Sequence, residues 1–215
     1  MGDAAPAGRG RDADRSREAI LDAAEQLFAE GGYDATSLQA IGERAGVSRG
    51  TPGYFFGSKE ALYGAVLERI FAAELALVAG AQAAATTGNE PDTDPAGMLT
   101  TIVGSYLDFL AARPSFVRLL EREALSGGAT LRATAAHAIA LREGLAITTA
   151  LIGADRVRST DPAAFLLAVL ALCWFPFAHA DTFARDLGFD LMVRADRERW
   201  GRHVVALMLR ELREG

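Results

Sequence analysis

One cysteine, one lysine and three histidines are all that 215 residues contain of those types, and each scarcity excludes something. Cys173 cannot form a disulfide within its own chain, and its apolar surroundings suit a small buried hydrophobe in a reducing cytosol. His137, His179 and His203 lie far apart with no neighbour at metal-ligand spacing, so no metal site is expected. No Ser-His-Asp or Cys-His grouping can be argued, and the glycines at 8 and 10 follow no strand that would make a phosphate loop. Neither an enzyme nor a cofactor is therefore expected. The longest apolar run, Ala163 to Ala178, is sixteen residues and carries Pro176. That is short of the roughly twenty needed to span a bilayer, so a buried packing helix and no membrane partner are expected.

Alternating β-branched segments are almost absent, aromatics are 8%, and alanine and leucine fill much of the hydrophobic half. An all-α fold follows. Residues 1–14 are polar and mixed in charge with no apolar core of a signal peptide, and read as a disordered tail. The alternative is an arm in which Arg9, Arg11, Arg15 and Arg17 touch phosphates or a minor groove. Excess positive charge is missing too. The net charge is −6, and residues 1–60 hold seven Arg or Lys against ten Asp or Glu. A nucleic-acid reader must then rely on where its few cations sit.

Against these absences stands the stretch from Thr36 to Tyr63. Leu38, Ile41 and Ala45 recur at helical spacing, Thr36 with Gln39 has the form of a capping box, and Ser37 is a second cap. Gly46 can close that helix in a left-handed conformation, Ser48 can cap a second near Arg49, and Ser58 a third. Two helices joined by so short a turn have the helix-turn-helix geometry, whose second helix enters the major groove. A preceding helix from about Ser16 to Glu30 carries Ile20, Ala23, Ala24, Leu27 and Phe28 as an apolar stripe.

Four runs together resemble the TetR (tetracycline-repressor-like) family of transcriptional regulators. They are Arg17 to Tyr33, Ile41 to Ser48, Tyr54 to Phe56 and Ser58 to Leu62. The resemblance covers roughly residues 15–70. It implies a helix-turn-helix DNA-binding domain over 15–75, with the motif at 37–56, and a C-terminal domain over 76–215 for ligand binding and dimerisation. The long helix from Ser58 to about Ala79 joins them.

Candidate DNA contacts are Thr36 and Ser37 at a helix start, Arg44, then Arg49, Gly50, Thr51, Gly53, Tyr54 and Phe55 in the reading helix, and Lys59. Arginine suits guanine, a threonine methyl suits thymine, and a lysine or tyrosine reaches phosphate. Phe56 is expected inside. Pro52-Gly53 and Phe55 depart from the family pattern, and proline in the first turn should leave the helix short or irregular.

Beyond the motif, Thr86 to Asp94 reads as a loop, Asp94-Pro95 and Asp161-Pro162 as helix starts, and the remainder as five or six helices. Tyr106, Phe109, Phe116, Trp174, Phe177 and His179 are candidate lining for an apolar pocket. Trp174, Phe175, Trp200, Val204, Leu207 and Met208 are candidates for a two-fold helical interface. The expected protein is a cytoplasmic homodimeric regulator, most simply a repressor of a palindromic operator released by a small apolar effector of unknown identity. The rival reading is a ligand-binding or protein-interaction module that keeps the fold without reading DNA.

Overall fold

The computed structural model describes residues 7–86, 95–154 and 160–214, and among these there is no strand. Among the described residues ten α-helices occur in order: α1 Ala7–Gly31, α2 Leu38–Arg44, α3 Thr51–Phe56, α4 Lys59–Thr86, α5 Pro95–Ala112, α6 Pro114–Leu125, α7 Ala129–Ala133, α8 Ala135–Ala154, α9 Pro162–Ala178 and α10 Arg194–Glu214. A single π-helical turn, Ala180–Ala184, follows α9. The loop expected over 86–94 lies almost wholly outside the described residues. So do residues 1–6 of the expected tail, but from Ala7 onward that expectation is corrected. α1 extends two turns upstream of Ser16. The Ser16 hydroxyl donates to the Asp12 carbonyl at 2.9 Å and Arg15 pairs with Asp12 at 3.6 Å, so local contacts continue the helix where composition suggested none.

The chain forms two compact units, and they do not divide at residue 75. The first comprises Met1–Ile70 and Arg118–Thr134, the second Phe71–Val117 and Ala135–Gly215. The return of 118–134 to the first unit has a physical cause. Arg122 sends its guanidinium to the carbonyl end of α1, donating to Ala29 O at 3.1 Å and Glu30 O at 2.6 Å. Those carbonyls have no partner within their helix, and a cation suits the negative end of its dipole. Beside it the Tyr63 hydroxyl donates to the buried Glu123 carboxylate at 2.9 Å, whose second oxygen accepts from Leu131 N at 3.0 Å. The core of this unit is Ile20, Ala24, Phe28, Ile41, Leu62 and Val66, all inaccessible to solvent.

In the second unit α10 packs on α5 and α9, and α8 on α9. The inward face of α10 runs through Val204, Met208 and Leu212 at helical spacing. Gly201 sits on the same face because a β-carbon there would meet Leu107 Cδ1 at 3.2 Å. Asp161 caps α9 by accepting from Ala163 N at 2.8 Å, with Pro162 in the first turn. Near its other end, Pro176 has no N–H for the carbonyl of Leu172 four residues back. The indole Nε1–H of Trp200 takes that carbonyl at 2.9 Å, tying α10 to α9.

Trp200→Phe is expected to cost about 1–3 kcal/mol in urea unfolding, the penalty for an orphaned buried carbonyl. The same change in a Pro176→Ala background, where the backbone N–H at 176 is restored, is expected to cost clearly less. Equal costs in the two backgrounds would contradict the pairing.

Candidate nucleic-acid interface and effector region

Ser37 caps α2, accepting from Ala40 N at 3.1 Å, and remains exposed. Gly46 ends the helix at φ +69, and Val47 N donates to Gly42 O at 3.0 Å to set the turn. Gly42 is the residue the sequence reading missed. A β-carbon there would lie 3.2 Å from Ser48 O, 3.4 Å from Pro52 Cγ and 3.5 Å from Arg49 Cα. Its absence lets the turn and α3 pass directly over α2. Pro52 is buried in that approach, so its departure from the family pattern is a packing contact rather than a defect.

The second helix starts later than expected. Gly50 stands at its N-cap without a side-chain bond, while the Ser48 hydroxyl meets the Thr51 hydroxyl at 2.6 Å. The helix has six residues, short as Pro52-Gly53 suggested. Arg49, Gly50 and Tyr54 are exposed, with Tyr54 at 85%, and Thr51, Gly53 and Phe55 are half-buried. Tyr54 packs edge-on to Phe55 at 5.4 Å. Phe56 is half-buried rather than internal, under the Arg17 guanidinium at 5.1 Å.

Two candidates are spent elsewhere. Thr36 is buried, its hydroxyl 2.8 Å from Gly32 O and 3.2 Å from Leu27 O, so its side chain caps α1 instead of facing DNA. Lys59 donates to Tyr33 O at 2.9 Å and Thr36 O at 3.1 Å, with its ammonium 4.2 Å over the Tyr33 ring. The lone lysine pins the α1–α2 loop to the start of α4, leaving one of its three donors for a phosphate. The Tyr33 hydroxyl donates to Glu60 at 2.7 Å, and chiefly through that bond Glu60 titrates down near 2. Ser58 caps α4 as read, accepting from Ala61 N at 3.1 Å.

The charge objection has a spatial answer. Glu18, Asp22 and Glu25 of α1 all turn to Arg69, at 3.6, 2.7 and 2.5 Å. Arg49 pairs with Glu43 at 3.4 Å and Arg44 with Glu30 at 3.6 Å, both at the surface. Such exposed pairs are worth well under about 1 kcal/mol and exchange readily for a phosphate.

In the second unit, three of the expected pocket residues come together. Phe116 meets Phe109 at 5.1 Å and Phe71 at 5.4 Å, Phe109 lies parallel to Tyr106 at 6.3 Å, and His137 meets Phe71 at 4.8 Å. Phe109 and Phe116 are buried core. Trp174 and Phe177 are half-buried on α9. His179 belongs elsewhere, against Phe175 at 4.3 Å and Phe183 at 5.8 Å on an exposed apolar patch. None of the six lines the groove of about 390 Å3 between α5 and α10, which has Leu107, Asp108, Arg197 and Leu209 in its walls.

The interface set also divides. Val204 and Met208 face the protomer's own core and Trp200 is committed to Leu172 O, because the apolar stripe of α10 packs on α5. Phe175 and Leu207 are exposed. With Leu167 and Ala171, Phe175 makes an outward apolar stripe on α9 at four-residue spacing. α8 adds Ile139, Leu141 and Leu145, and over 135–153 it is long and apolar enough to cross a membrane, with 17% of that stretch buried.

Residues 20–66 match the bacterial regulatory proteins of the tetR family, and residues 95–208 match the tetracyclin repressor-like C-terminal domain. The chain belongs to the TetR family. Among its relatives is the HTH-type transcriptional repressor NicS of Pseudomonas putida, 29% identical over 95% of this chain and 96% of that protein. The HTH-type transcriptional regulator RutR of Escherichia coli is 47% identical over 62 residues, 29% of each chain. The crystal structure of a TetR-family regulator from Mesorhizobium loti superposes with a TM-score of 0.67 at 20% identity, over 92% of this chain and 96% of that one. This TetR-family protein is thus a DNA-binding transcriptional regulator with the all-α fold of its family.

Among the described residues, no cation pairs with the buried Glu74 carboxyl. Burial holds the Glu74 carboxyl up at about 7 against an ordinary 4.5, and the Tyr106 hydroxyl that donates to it offsets this only in part. The folded state favours the protonated acid, so this contribution is complete below pH 4.5 and is lost as pH rises through 7. Unfolding free energy is expected to fall by roughly 3 kcal/mol over that window relative to Glu74→Gln. Parallel profiles for the two proteins in urea at pH 4.5, 6 and 7.5 would remove Glu74 as the cause.

Proposed function

We propose that the protein represses transcription as a homodimer bound to a palindromic operator, and leaves that operator when a small molecule occupies its second unit. The observation that supports this reading is the exposed surface at α3 and the turn before it, where Arg49, Gly50 and Tyr54 are exposed while Pro52 anchors the helix from behind. Arg49 presents a bidentate donor to a base edge, Tyr54 a hydroxyl to phosphate, and the open backbone at Gly50 admits the duplex closely. Ser37 and Arg44 flank the same motif.

One six-residue helix supplies too few contacts for useful selectivity, so two copies on two half-sites are needed. The outward stripe of Leu167, Ala171 and Phe175, with Leu207 of α10, supports a two-fold interface between copies. Alanine at its centre permits close approach of two helices. An effector that binds better to dimers whose reading helices are mis-spaced lowers operator affinity by that difference. Such a regulator acts in the cytosol, where its DNA is.

Arg49→Ala and Tyr54→Ala are each expected to weaken operator binding by about 1–3 kcal/mol, tenfold or more, without moving the melting temperature. Shift assays on DNA flanking the gene, paired with melting curves, measure both. Full binding by the double variant would place the reading surface elsewhere, and no binding by the unaltered protein would favour the module that does not read DNA. Leu167→Asp, which sets a charge on the α9 stripe, is expected to give monomers in sedimentation equilibrium, and an unchanged dimer would move the interface elsewhere.

A further inference from the structure

Glu74 sits in the second unit as a buried carboxyl, and among the described residues no Lys, Arg or His pairs with it. One turn earlier on α4, Phe71 carries its ring to Phe116 and His137. The Tyr106 hydroxyl donates to Glu74, and Cys173 lies near enough to Tyr106 to act on it electrostatically. Two more buried atoms in the unit, His137 Nδ1 and Trp174 Nε1, have no hydrogen-bond partner among the described residues. A buried polar group left unmatched costs free energy that an apolar side chain of similar size avoids. Glu74 keeps one hydrogen bond and no counter-charge, and His137, on the ring that meets Phe71, keeps no bond at Nδ1; both are better explained by something that binds there than by the fold.

We propose that this cluster receives the head of a cationic effector, a protonated amine on an aromatic or aliphatic body. Glu74 pairs with the ammonium N–H, and the faces of the surrounding rings, Phe71 and Tyr106 foremost, stabilise the positive charge. The unpartnered His137 Nδ1, on the ring beside Phe71, gives the body a place for a polar substituent. Charge sign decides against other ligands. The buried polar side chains described in this unit are Glu74 and Thr148, so an anion finds no buried cation to meet it. A purely apolar ligand leaves Glu74 without a counter-charge.

The inference rests on the reading of the protein as ligand-responsive, so the test separates the two. The full-length protein is titrated calorimetrically at pH 8 with ω-phenylalkylamines of two to six methylenes, and with the alcohols and carboxylates of the same skeletons. The amines are expected to bind about tenfold or more tightly than the alcohols, and the carboxylates not at all. In Glu74→Gln the amine falls to the alcohol's affinity, and Glu74→Asp, which keeps the charge, recovers part of the preference. An alcohol or carboxylate binding as tightly as its amine overturns the proposal. So does an amine preference that survives in Glu74→Gln, or a series in which no amine binds. Operator shift assays on the same samples test the regulatory reading separately. DNA released by an alcohol or carboxylate alone keeps that reading and discards the cationic head. DNA that never binds discards that reading, while the amine preference still decides the head group.

Discussion

The near-contact of α3 with Gly42 is the constraint on which the reading surface depends. With hydrogen in place of a side chain at 42, Ser48 O, Pro52 Cγ and Arg49 Cα approach to within 3.2, 3.4 and 3.5 Å of where a β-carbon would stand. The proline ring fills that space and is buried there. A helix of barely two turns has little stability of its own, since its nucleation cost is shared over few hydrogen bonds. Its position is therefore set by packing, and the packing fixes which side chains face outward. Arg49 and Tyr54 are exposed because Pro52 is not.

Electrostatics in the first unit is a matter of distribution rather than sum. Three acidic residues of α1 converge on Arg69, and a fourth, Glu60, is occupied by Tyr33. The cations beside the motif are held only by exposed pairs that salt or phosphate can replace. A net-acidic protein can then bind a polyanion, because the acids of α1 are drawn to Arg69 while Arg44 and Arg49 are held by pairs that a phosphate can displace. The single lysine has a different task. By holding two carbonyls of the α1–α2 loop it fixes the height at which Ser37 presents α2.

What was legible in the sequence was local. Ser37, Gly46, Ser58 and Asp161-Pro162 act within a few residues of themselves, so their caps and stops could be read directly. The family signature likewise lies in one contiguous stretch. What escaped was long-range. Nothing near Leu172 announces that an indole 28 residues on will take its carbonyl, nor does position 122 announce that it caps a helix 92 residues earlier. Thr36 was legible as a capping residue but not as one that caps the preceding helix. The interface residues on α10 failed for a related reason. Periodicity identifies an apolar stripe but not its partner, and Val204 and Met208 belong to the protomer.

The central claim is that the Arg49–Tyr54 surface is a DNA-reading surface used twice in a dimer. The salt dependence of binding to DNA flanking the gene tests it most directly. Two protomers that each bring Arg44 and Arg49 to the duplex predict that log K falls linearly with log salt, with a slope of magnitude about 2 where Arg44 alone meets phosphate and about 4 where Arg49 does too. Half-sites held in two-fold register should bind one dimer. Binding that ignores salt, or no binding to any such fragment, would contradict the account.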